Sequence, residues 1–206
     1  MLENIKVFTQ NSVRLTVGDK KVYIDPFQMT EEPRDADLIL LTHDHHDHFS
    51  RSDIRKVAKA DTVFVAPQGM ADQVPGKTVA VTPGQSYQVE GVSIETVAAY
   101  NQSKPFHPQS ARWVGYVVTV AGKRFYVAGD TDATPEARAV RCDVALVPVG
   151  GTYTMDAKQA AQLVNALRPE YAVPVHYGTI VGDKEDGERF AALVEPPVQV
   201  ELLLGR

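Results

Sequence analysis

Four of the chain's six histidines fall within six consecutive residues, His43-Asp44-His45-His46-Asp47-His48. A His-x-His-x-Asp-His pattern has an expected count of about 4 in 10,000 for a chain of this composition, so chance explains it poorly. Metal binding explains it better. The preceding run, Asp37-Leu38-Ile39-Leu40-Leu41-Thr42, is nearly all apolar and reads as a strand covered on both faces. On a loop leaving that strand, His43 and His45 point the same way and offer imidazole nitrogens to one ion. Asp47 and His48 then turn toward a second ion nearby. Imidazole plus carboxylate suits zinc, iron or manganese. His46, between ligand positions, is expected at a pocket edge or in solvent. Two plainer readings compete, a solvated polar turn and a single structural metal. Structural zinc usually closes its sphere with four protein ligands, often cysteines, but the single cysteine, Cys142, is remote. An open, catalytic sphere fits better.

The elements that must position this cluster are mostly short strands. Residues 5–8, 13–17 and 21–25 come first, with Gly18-Asp19 as a turn. Ser50 and Asp53 give a helix-start signal, and that helix is expected to reach about residue 60. Further strands are expected over residues 62–66, 78–82, 85–90, 92–98, 115–120, 124–128, 143–149, 171–175 and 198–204, with Ala121-Gly122 as a hairpin turn. Asp156 and Gln159 begin a helix that Pro169 stops, and a last helix is expected over residues 184–194. Strands in both halves with helices between them predict two packed sheets clothed in helices.

With these motifs in order, the chain resembles the metallo-β-lactamase-fold superfamily of metal-dependent hydrolases. Within it, the chain is similar to the small stand-alone branch that includes ascorbate-6-phosphate lactonase-like proteins. The resemblance rests on Ile24-Asp25-Pro26, on Thr42 to His48, on Ala128-Gly129-Asp130-Thr131-Asp132, and on Val175-His176-Tyr177-Gly178. It implies an α/β fold, an αββα sandwich of two mixed β-sheets packed face to face with helices on the outer faces, forming one hydrolase domain over residues 1–206. It also implies two divalent metal ions, zinc before manganese or iron. Their ligands would be His43, His45, Asp47, His48, Asp130 and His176, with Asp130 bridging.

Local alternatives remain for several of these residues. Asp130 could cap the helix near Pro135, and His176 could be a satisfied core histidine. Asp25 is read as holding a ligand histidine in its tautomer, or else as capping the turn at Pro26. The superfamily pattern expects one more histidine in mid-chain, where Asn101 stands. Asn101 binds metal poorly, so His107, on a proline-flanked loop, is expected to complete the first site while Asn101 orients it or a bound water. Lys104 and Tyr177 are candidates for an anion contact and an oxyanion donor, beside plainer readings as a solvated lysine and a core tyrosine. The Thr152-Tyr153-Thr154 turn is a candidate pocket wall.

The chemistry this implies is attack by a metal-bridging hydroxide on an ester, lactone or phosphoester bond of a small molecule, with Asp47 and Asp130 as catalytic carboxylates. The alternatives are a phosphodiesterase acting on a small or lipid substrate, and a metal-binding regulatory protein without turnover. No Gly-x-Ser-x-Gly elbow is present, and Cys142 has no histidine beside it in sequence, which disfavours serine or cysteine nucleophiles. The 206 residues suit one domain. A net charge of -5 provides no basic field for nucleic acid. No apolar run is long enough to span a membrane, and Met1-Leu2-Glu3-Asn4 does not begin like a secretory leader. A lone cysteine fits a reducing, cytoplasmic setting. A homo-oligomer stays open.

Overall fold

The apolar runs become paired strands of two sheets in the computed structural model, which describes residues 2–205. Met1 and Arg206, the ends of the expected domain, lie outside the described residues. In chain order the elements are β1 (Ile5–Val7), β2 (Val13–Val17), β3 (Lys20–Ile24), β4 (Ala36–Leu40), α1 (Arg51–Val57), β5 (Ala58–Pro67), β6 (Thr78–Val81), β7 (Ser86–Val89), β8 (Val92–Ala98), β9 (Val114–Val120), β10 (Lys123–Val127), α2 (Pro135–Arg138), β11 (Val144–Pro148), α3 (Ala157–Leu167), β12 (Tyr171–Val175), α4 (Asp186–Ala191) and β13 (Gln199–Val200).

The first sheet runs β1 to β6 in sequence order and the second runs β7 to β13 likewise, so the chain crosses between sheets once. Both sheets are mixed: antiparallel pairing in β1–β3 and β7–β10 gives way to parallel pairing from β3 to β6 and from β10 to β13. Alternation of side chains splits the apolar residues by face. Leu15, Ile24, Leu38, Leu40, Val118, Phe125 and Leu146 fill the space between the sheets. Ile54 and Val57 of α1 cover the outer face of the first sheet beside Tyr23, Ile39 and Phe64. Ala160, Leu163 and Val164 of α3 and Phe190 of α4 cover the second beside Tyr126, Ala145 and Val147. The αββα sandwich expected from the sequence is the observed architecture. Among the described residues, no helix is long and apolar enough to cross a membrane.

Local signals set several boundaries. Asp156 and Gln159 form a reciprocal capping box at the start of α3. Ala121 and Gly122 both have positive φ (48° and 78°), as a tight two-residue hairpin turn requires. Three elements are shorter than expected. Helix α1 stops at Val57, not near residue 60, because Thr62 Oγ1 accepts from Lys59 N at 2.8 Å and donates to the Ala36 carbonyl at 2.6 Å. Those bonds draw the following residues into β5. Helix α4 covers only Asp186–Ala191, and the last strand shrinks to Gln199–Val200, the two residues that pair with Tyr171 and Ala172 of β12.

Candidate metal centre

Loops at the ends of β4, β10 and β12 converge at one edge of the sandwich. Hydrogen bonds between the two sheets hold them there. Tyr116 on β9 donates its hydroxyl to the Leu41 carbonyl at 2.6 Å, Val114 N donates to Thr42 O at 3.2 Å, and His176 N donates to Gln10 O at 2.9 Å. Gly129 has φ +67°, and a Cβ there would lie 3.2 Å from the Thr42 side chain, so glycine lets Asp130 come close to the histidine loop.

Three groups of ligand atoms result, each within 4.8 Å: His43, His45 and His107; His43, His48 and Asp130; Asp47, His48 and His176. His43 Nε2 lies 3.1 Å from His45 Nδ1, and His48 Nε2 lies 3.3 Å from His176 Nε2. Asp130 turns Oδ2 to His107 Nε2 at 3.3 Å and Oδ1 to both His48 Nε2 and His176 Nε2 at 3.3 Å. Asp47 Oδ2 is 3.3 Å from His176 Nε2 and 3.5 Å from His48 Nε2. His46 stays outside, with its side chain 79 % exposed.

The hydrogen-bond network assigns the tautomers. Asp25 accepts from His48 Nδ1 (2.7 Å), Thr42 Oγ1 (2.6 Å), Thr42 N (2.8 Å) and Asn11 Nδ2 (2.8 Å). With its proton on Asp25, Thr42 Oγ1 is left to accept from His43 Nδ1 at 3.0 Å. Asn101 Nδ2 donates to Asp132 and the Tyr153 carbonyl, so its Oδ1 faces His107 and accepts from the ring Nδ1 at 2.9 Å. His43, His48 and His107 therefore aim bare Nε2 lone pairs into the cluster.

These residues fit divalent metal. His107 Nε2 and Asp130 Oδ1 are buried without a hydrogen-bond partner, a costly arrangement that a cation relieves. The separations of 3.1–3.5 Å match the edges, about 3.3 Å, of a tetrahedron whose vertices lie at ordinary zinc–nitrogen distance. Electrostatics agree. Burial disfavours charge on Asp130, but His176 and His48 outweigh it and hold its pKa well below the usual carboxylate range. Burial is likewise outweighed at Asp47, by hydrogen bonds to His176 and His48. Burial, helped by His48, pushes the pKa of His43 well below that of an ordinary histidine. At His48 burial is overcome by Asp130 and Asp25, which raise its pKa. Two carboxylates kept acidic among buried imidazoles make a donor set suited to cations.

The centre floors a cleft of about 280 Å³, whose walls include Phe106, Tyr153 and Ile180. Trp113 packs against His43 and His45 with ring centroids 4.9 and 5.0 Å away. None of these four is among the residues the sequence singled out as a candidate, although the turn carrying Tyr153 is. Larger hollows of about 680 and 560 Å³ lie elsewhere, and neither holds a ligand cluster among the described residues. Lys104 and Tyr177 do not line the cleft. Lys104 Nζ is held by Asp132 (2.6 Å) and the Thr154 carbonyl (2.9 Å), and Tyr177 is buried with the apolar residues under α3 and α4, its ring close against Gly187.

A family model described as "Beta-lactamase superfamily domain" matches residues 4–176. A metal-dependent hydrolase of the UPF0173 group from Pyrococcus abyssi is 36% identical over 204 residues, covering 90% of each chain. This chain belongs to the metallo-β-lactamase superfamily of metal-dependent hydrolases. Solved structures of the superfamily superpose closely. A Parabacteroides distasonis protein has a TM-score of 0.84 at 30% identity, covering 97% of this chain and 92% of its own. A metallo hydrolase from Ignicoccus hospitalis has a TM-score of 0.75 at 25% identity, covering 96% and 94%. The histidine cluster, Asp25 and Asp130 all lie inside the matched superfamily domain, and His176 is its last residue.

Proposed function

We propose that the chain hydrolyses an ester, lactone or phosphoester bond of a small molecule with two divalent ions, zinc before manganese or iron. His43, His45 and His107 would hold one ion, Asp47, His48 and His176 the other, and Asp130 both. The observation that carries this is the split of Asp130, with one oxygen turned to His107 and the other to His48 and His176. Ions held there supply Lewis acidity for the electrophile and a water whose pKa is lowered to about 7.

The chain's own residues do the rest. Asp25, Thr42 and Asn101 fix the ring orientations of His48, His43 and His107. Trp113 keeps water from the back of His43 and His45. Asp47, at the cleft wall, commits Oδ2 to His48 and His176, and its Oδ1 lies 3.8 Å from exposed His46 Nδ1. That oxygen would take the proton released by the attacking water and pass it to the leaving oxygen. Ligands drawn from both sheets support residues 1–206 working as one domain, and the lone Cys142 fits the cytoplasm.

The test compares metal-loaded and chelated protein on an aryl ester, a lactone and a bis-aryl phosphate. Faster turnover of at least one by the loaded form is expected. Equal rates across the panel would overturn the reading and favour a metal-binding protein without turnover.

A further inference from the structure

Among the described residues four large hydrophobic side chains are exposed, and three of them, Phe106, Tyr153 and Ile180, are 37–43 % exposed around the same cleft. Single exposed apolar residues mean little, but three converging on one opening do. Phe106 and Tyr153 meet edge to face with centroids 4.8 Å apart. Their loops are fastened together, Asn101 Nδ2 donating to the Tyr153 carbonyl at 3.0 Å and Lys104 Nζ to the Thr154 carbonyl at 2.9 Å. The rim is therefore formed before substrate arrives, which lowers the ordering cost of binding.

Charge points the same way. No lysine or arginine lines the cleft among the described residues, and the nearby Lys104 is committed to Asp132 at 2.6 Å. Beyond the ions proposed above, the lining gives an anionic group at the mouth no lysine or arginine to pair with. We infer that the substrate is an uncharged carboxylic ester or lactone that lays a short apolar acyl chain or a single ring against Phe106, Tyr153 and Ile180. This rests on the hydrolytic reading above and narrows it. A cleft of about 280 Å³ sits just under the usual small-molecule range of about 300–1,000 Å³, in keeping with a small substituent.

The experiment uses the metal-loaded full chain, with 4-nitrophenyl acetate, butyrate and hexanoate beside 4-nitrophenyl phosphate. Full burial of a methylene corresponds to roughly fourfold. In this open cleft kcat/KM is expected to rise about two- to fourfold per methylene, with little turnover of the phosphate. Ile180→Ala and Tyr153→Ala, on separate loops, should each flatten the series while metal content is unchanged. Binding gives an independent readout. Saturation-transfer NMR should show 4-phenylbutyramide bound to the wild-type chain and about fivefold weaker in either variant, with glycerol phosphate bound weakly. A flat ester series, a preference for the phosphate, or amide binding indifferent to both variants would overturn the inference. Amide binding as described, with no ester, lactone or phosphoester turned over by the metal-loaded chain, would support the apolar rim and overturn the hydrolytic reading instead.

Discussion

Asn101 Oδ1 takes two hydrogen bonds from a single residue, from His107 N at 3.1 Å and from His107 Nδ1 at 2.9 Å. The amide thus sets both the backbone and the ring of one histidine. His107→Ala should weaken metal binding by about tenfold or more, and Asn101→Ala by about 10- to 100-fold, since losing the partner that orients a ligand costs that much. Competition with a calibrated chelator measures both. Unchanged affinity in His107→Ala with Asn101→Ala impaired would transfer the ligand role to Asn101.

Asp130 faces His107 on one side and His48 and His176 on the other, so elemental analysis of chain produced in metal-supplemented medium should count two ions. Asp130→Ala should fall to the rate of the chelated form while circular dichroism stays native, because the two cations then repel across an open site. Metal at a hundredfold excess over its dissociation constant stabilises a fold by about 2.7 kcal/mol. Chelation should therefore lower the melting temperature by roughly 5–10 °C for a chain of this size. A stoichiometry of one, indifferent to added metal, would exclude the paired centre.

Asp25 has φ +45°, a backbone conformation that asparagine tolerates. Asp25→Asn nevertheless brings amide donors to a place where Asn11, Thr42 and His48 all donate. A loss of about 3 kcal/mol is expected in chemical denaturation, with metal affinity down about 10- to 100-fold. Wild-type values for both would mean that Asp25 serves only the turn at Pro26.

Burial and the neighbouring Asp143 push the Cys142 thiol up to about 12. At pH 8 about one thiol in 10,000 is then the reactive thiolate. Alkylation by iodoacetamide should run about three orders of magnitude slower in the native than in the denatured chain, and activity should be indifferent to it. Rapid native labelling would contradict the placement of Cys142.

The histidine loop was legible because His43, His45, Asp47 and His48 owe their convergence to one turn, which sequence spacing reports directly. Asp130 and His176 were legible only through the order of motifs, since nothing near either residue separates a ligand from a cap or a core histidine. Phe106 and Ile180 carry no such signal, because they meet where separate loops cross, and Tyr153 was reachable only through the Thr152-Tyr153-Thr154 turn that carries it. Lys104 and Tyr177 stayed open between site and plain readings because their surroundings, Asp132 for Lys104 and the apolar cluster under α3 and α4 for Tyr177, are remote in sequence. The early end of α1 has the same cause, a side-chain bond from Thr62 to the Ala36 carbonyl.

The single crossing between sheets bears on how the protein matures. His43 to His48 leave the ribosome early, on the first sheet, whereas His107, Asp130 and His176 belong to the second, and His48 stands 128 positions before His176. A nascent chain therefore displays an incomplete ligand set for most of its synthesis. On the proposed ligand set, firm metal binding would wait for the second sheet to be made.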